Sequence, residues 1–74
     1  MSNIPKLVLE KKYRDGKNYK NTEIAESLNL SEAMVSRFMN NKINMGKVTF
    51  DTILAWSKWL DCDPRVLVHE QNDN

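Results

Sequence analysis

A chain of 74 residues makes one domain with a modest core, because folding at this size buries only about 60–65% of the unfolded surface. It has no room for a deep enclosed pocket beside that core, which weighs against most enzymes. Net charge is only +1, and the single cysteine, Cys62, excludes an intramolecular disulfide and fits a reducing compartment.

The charge is unevenly spread. Through residue 48, nine basic residues (Lys6, Lys11, Lys12, Arg14, Lys17, Lys20, Arg37, Lys42, Lys47) stand against five acidic ones (Glu10, Asp15, Glu23, Glu26, Glu32), a surplus of +4. From Thr49 onward, Lys58 and Arg65 face Asp51, Asp61, Asp63, Glu70 and Asp73, a balance of −3. One end suits phosphates and the other should face away from them. The N-terminal apolar cluster is too short for a signal peptide, and nowhere is there the run of ~18 apolar residues that a membrane span needs. A cytoplasmic protein with no membrane contact is expected.

Pro5 suits the first turn of a helix, where its missing N–H costs nothing. Residues 6–14 contain no breaker and offer Leu7, Val8, Leu9 and Tyr13 for one face, and Gly16 ends the helix. A short amphipathic helix follows over 21–28, burying Ile24, Ala25 and Leu28, with Glu23 and Glu26 outside near the positive end of its dipole. Asn29 tolerates the left-handed backbone of a tight turn, Leu30 can drop into the core, and Ser31 is a good N-cap. From Glu32, Val35, Phe38 and Met39 recur at helical spacing. Residues 40–48 read as an exposed, irregular polar loop. Thr49 caps a fourth helix with the stripe Phe50, Ile53, Leu54, Ser57 and Leu60, which Asp61 interrupts. Asp63-Pro64 starts a short last helix, with Val66 and Leu67 packing inward. Residues 71–74 should be a disordered tail after a domain spanning 1–70. No window alternates with period two, so the expected fold class is an all-α bundle of about five short helices.

Two short helices joined by a tight turn are the plan of a helix-turn-helix, here over about 21–40. The plan needs a small residue where the helices cross, a turn residue, an apolar residue after it and an anchor in the second helix. Ala25, Asn29, Leu30 and Val35 fill these places. Ser31, Glu32, Ala33, Ser36, Arg37 and Asn40 then form the outward face. They are mostly short and polar, which lets a helix enter a major groove deeply. Any small helical bundle also has short helices with polar faces, so spacing alone leaves both readings open.

Residues 21–42, NTEIAESLNLSEAMVSRFMNNK, resemble the helix-turn-helix of the phage Cro and lambda-type repressor family. The similarity continues through TFDTILAWSKWLDCDPRVLV, so it covers about 21–68, with a longer loop before Thr49 than is usual in that family. The resemblance implies a sequence-specific regulator of transcription that binds double-stranded DNA, commonly as a homodimer. It sets Asn21 where a phosphate-gripping glutamine usually stands; the shorter asparagine suits a helix cap instead. It places Glu32, Ala33, Ser36 and Arg37 at base-reading positions beside Ser31, and Asn40, Asn41 and Lys42 at phosphate-contacting ones. Arg37 is the leading candidate, since a guanidinium can donate two hydrogen bonds to guanine or clamp a phosphate.

Two departures stand out. Asn29 replaces the usual turn glycine, and Glu32 replaces a common glutamine, turning a negative charge towards the groove. Trp56 fits the core. Trp59 stands where the family has a small residue, so a partly exposed ring serving as a protein interface is expected. The basic residues of the first helix read as a solvated face, with Lys11 or Lys12 near phosphate, while Met34, Met39, Met45 and Cys62 read as filler. His69 is the sole histidine, and with one cysteine it cannot close a metal site. No enzyme, metal or cofactor is expected. The rival to a DNA reader is a module of the same fold that binds and silences a partner repressor; the weak net charge and Glu32 favour it.

Overall fold

The computed structural model describes residues 2–68. The expectations for His69 and for the tail 71–74 fall outside these residues. Among the described residues the elements are α1 (Ile4–Asp15), α2 (Asn21–Leu28), α3 (Glu32–Met39), a 3-10 turn (Met45–Lys47), α4 (Phe50–Leu60) and α5 (Pro64–Val68), with no strand.

Three of the helices end on the same physical device. Gly16, Asn29 and Asp61 each adopt a left-handed backbone, with φ of 62°, 58° and 56°. At each one the next N–H reaches back to an orphan carbonyl: Lys17 to Lys12 (3.1 Å), Leu30 to Ala25 (2.9 Å) and Cys62 to Ser57 (3.0 Å). Side-chain caps begin α3, α4 and α5. Ser31 Oγ accepts the Met34 N–H at 3.1 Å, Thr49 Oγ1 that of Thr52 at 3.3 Å, and Asp63 Oδ1 that of Arg65 at 2.9 Å.

The core joins Ile4 and Val8 of α1, Ile24, Ala25 and Leu28 of α2, Val35 and Phe38 of α3, Trp56 and Leu60 of α4, and Leu67 of α5. Helix α2 packs on α3 and α4, and α1 lies across both α3 and α4. Phe38 meets Trp56 with ring centroids 5.3 Å apart, which fixes the inner face of α3 against α4.

Several expected inward residues face out. Leu9 is 55% and Tyr13 82% exposed, because Ile4, Leu7 and Val8 take the inner side of α1. Phe50 is 66% exposed; the buried stripe of α4 is Trp56, Ser57 and Leu60, with Ile53 packed against it. In α5 Leu67 turns fully inward, whereas Val66 remains 40% exposed. The segment 40–48 is not a purely polar loop either. Ile43, Met45 and Val48 pack against the core, and hydrophobic anchoring of every second or third residue holds the segment to the globule.

Candidate nucleic-acid interface

Burial of Val35 and Phe38 turns the opposite side of α3 to solvent. Glu32, Ala33, Arg37 and Asn40 are exposed there and Ser36 is half-buried, while Ser31 is spent on the cap. Asn40 Nδ2 donates to Ser36 Oγ at 3.3 Å, tying the end of this face together. Ser31, Glu32, Ala33, Ser36, Arg37 and Asn40 therefore lie on one continuous surface.

The chain leaves α3 through a left-handed Asn41, φ 55°. The Lys42 N–H then donates to the Arg37 carbonyl at 2.8 Å, which folds Lys42 back beside Arg37. Farther on, Asn44 Oδ1 accepts the Gly46 N–H at 2.9 Å and starts the 3-10 turn. That turn brings Lys47 to the same place. Arg37, Lys42 and Lys47 now line one cleft of about 340 Å³ together with Thr49 and Thr52 at the start of α4. None of the three cations makes an ion pair among the described residues.

Asn41 also ties two parts of the fold together. Its Oδ1 accepts from the Ser2 N–H at 3.1 Å and from Ser2 Oγ at 3.3 Å, pinning the start of the chain to the end of α3. Asn21 does not cap α2. Lys20 holds the N-cap position, and its N–H donates to Glu23 Oε1 at 3.0 Å. Glu23 supplies the closure because it sits one turn into the helix, where its carboxylate can reach back to an orphan donor. Asn21 itself is exposed in the first turn.

The basic residues of α1 are not the uniform solvated face expected. Lys11 Nζ lies 3.0 Å from Asp15 Oδ2, and its side chain is only 15% exposed. The ammonium stands 5.0 Å from the Trp59 ring centroid and 5.4 Å from that of Tyr19. Tyr19 donates its hydroxyl to Asp15 at 2.6 Å, and Lys17 pairs with Glu23 at 3.6 Å. The Tyr19 hydroxyl, and after it Lys11, hold the Asp15 carboxyl below its usual range. The same bond raises Tyr19. The Lys20 N–H, followed by Lys17, lowers Glu23. Lys11, Arg14 and Lys17 are thus paired within the fold, whereas Arg37, Lys42 and Lys47 gather without an ion pair among the described residues.

Trp59 is half-buried, edge-on to Tyr19 at 5.2 Å and to Trp56 at 6.2 Å. It also lines a groove between α2 and α4 with Ser27, Leu54, Ala55 and Lys58. A second, acidic cleft lies on the other side of the helix-turn-helix, where Glu23, Glu26 and Glu32 converge. Among the described residues no group of three His, Cys, Asp or Glu side chains could hold a metal ion, and no helix is long and apolar enough to cross a membrane.

A family model described as the Cro/C1-type HTH DNA-binding domain matches residues 11–68. The chain belongs to this family. The match takes in α2 to α5 and begins inside α1, so it reaches farther toward the N-terminus than the segment that carries the resemblance in sequence. Membership makes this a DNA-binding domain of a typically non-enzymatic kind. No curated protein and no solved structure matches the chain.

Sequence reasoning missed Lys47, Thr49 and Thr52 as members of the basic cleft. The usable signal was the apolar spacing of Ile43, Met45 and Val48 within a polar segment, which shows that the segment folds back and returns its lysine to α3.

Proposed function

We propose that this protein is a sequence-specific regulator of transcription, Cro- or repressor-like and of phage or prophage type, that reads the major groove with α3. The observation that carries the reading is the continuity of two surfaces: the short polar outer face of α3 runs directly into the unpaired Arg37, Lys42 and Lys47. Short side chains let the helix approach base edges, and flanking cations fix its register on the phosphates. In this reading Arg37 reads a base, with Glu32, Ala33 and Ser36 beside it, while Asn21, Asn40, Asn41 and Lys42 position the DNA backbone, Asn41 through the amide group that its bonds to Ser2 leave free. Residues 1–70 act as one domain, and a homodimer forms through the groove between α2 and α4, with Trp59 as its anchor.

One observation favours a second reading, a module that binds a partner repressor. Glu32 shares its cleft with Glu26 and Glu23, a surface that suits a basic partner; Glu23 is already engaged by Lys17 and the Lys20 N–H. Glu32→Gln separates the two readings because it removes the charge and keeps the shape. A DNA reader should change its preference at one base pair and tighten on random duplex. A repressor-binding module should instead lose affinity for its protein partner and associate more slowly, most markedly at low salt.

A further inference from the structure

The basic cleft has a feature that phosphate binding does not use. Its walls are Leu30, Met34, Phe38, Ile43 and Val48, and its volume is about 340 Å³, within the range of small-molecule sites. The cations Arg37, Lys42 and Lys47 stand at the same opening, and no carboxylate lines it among the described residues. An inorganic anion gains nothing from five apolar walls, and a neutral hydrocarbon leaves three cations without a partner.

We propose that this cleft binds a small amphipathic carboxylate, a short aliphatic or aryl acid, as an effector that competes with DNA. The apolar body lies between α3, the 3-10 segment and the start of α4, where the walls exclude water from it. The carboxylate accepts charge-assisted hydrogen bonds from Lys42 and Lys47, and from Arg37 where it leaves the duplex. A phosphate and this carboxylate need the same donors, so one ligand excludes the other. The competition rests on the proposed DNA reading; binding of the acid does not.

The test is titration of the full chain, labelled with nitrogen-15 and followed by amide chemical shifts, with sodium octanoate, octanamide and inorganic phosphate. Octanoate should move the amides of Leu30, Phe38, Ile43 and Val48 saturably. Octanamide should bind about tenfold more weakly or worse, the factor one charge-assisted bond supplies. Phosphate should leave the apolar walls unmoved. Lys47→Gln, at an exposed position, should weaken octanoate by about tenfold, while Lys6→Gln on α1 should not. Absence of saturable shifts with octanoate, or equal binding of octanamide, overturns the site. A duplex-bound chain should release DNA on addition of octanoate and not of octanamide. If octanoate binds and the duplex stays bound, the competition is overturned. If octanoate binds a chain that binds no duplex, the site stands and the DNA reading falls.

Discussion

Phe38 and Phe50 are the same side chain at helical apolar positions, and the fold assigns them opposite weights. Phe38 is 1% exposed and packs its ring against Trp56, whereas Phe50 is 66% exposed at the start of α4. Truncating Phe38 to alanine removes a buried ring and its aromatic pair and leaves a void that neighbouring helices fill only in part. The cost should be about 3–5 kcal/mol. Against a total stability of roughly 4–11 kcal/mol for a domain of this size, that is a large part of what holds the fold. Phe50→Ala opens no cavity and should cost less than about 0.5 kcal/mol. Urea denaturation followed by far-ultraviolet circular dichroism measures both. Equal losses for the two variants would refute the assignment of the α4 stripe to Trp56, Ser57 and Leu60. A loss for Phe50→Ala that grows with protein concentration would place Phe50 in a dimer contact instead.

Ser31→Ala deletes the acceptor of the Met34 N–H and should destabilise the domain by about 1 kcal/mol, with a matching loss of DNA affinity only if the start of α3 frays; thermal melting and duplex binding check the two separately. Acid should loosen α5. Arg65, first through its side chain and then through its backbone N–H, lowers the Asp63 carboxyl from 3.8 to about 2, so the folded state holds the proton less tightly than the unfolded chain. The stabilisation is complete above the unfolded value and is lost as pH falls through that interval. Asp63→Ala should flatten that part of the melting-temperature profile, and an unchanged acid slope would contradict the Asp63–Arg65 pairing.

Helix positions and caps were legible in the sequence because they rest on local chemistry. Ser31, Thr49 and Asp63 cap from the residues the sequence nominates, and Asn29 turns left-handed where a glycine is usual, since its short polar side chain tolerates that backbone. Which apolar residues face inward was less legible. Helical spacing allows a wide stripe on α1 and α4, and only the neighbouring helices decide that Val8 is buried while Leu9 and Tyr13 are not. The start of α2 departs from the sequence expectation because Glu23, not Asn21, reaches the orphan N–H. Lys11 shows the same limit: its pairing with Asp15, Tyr19 and Trp59 joins residues up to 48 positions apart, and no local pattern encodes it. The outer face of α3 could be read from the period of Val35 and Phe38, but the cleft that gathers Lys47 with Arg37 depends on the return of the 43–48 segment.

In the proposed function α3 reads DNA by sequence, with Arg37 contacting a base. The most direct test is the affinity of the full chain for a duplex selected from a random pool, against a scrambled duplex, over a range of salt. Contact with about four to eight phosphates per dimer should give a log–log salt slope of roughly −0.9 for each, and the selected duplex should bind at least ~10³-fold more tightly. Arg37→Ala should cost about 1–3 kcal/mol on the selected duplex and much less on the scrambled one. Equal losses on both would make Arg37 a phosphate contact, and failure of any duplex to be selected would contradict the account.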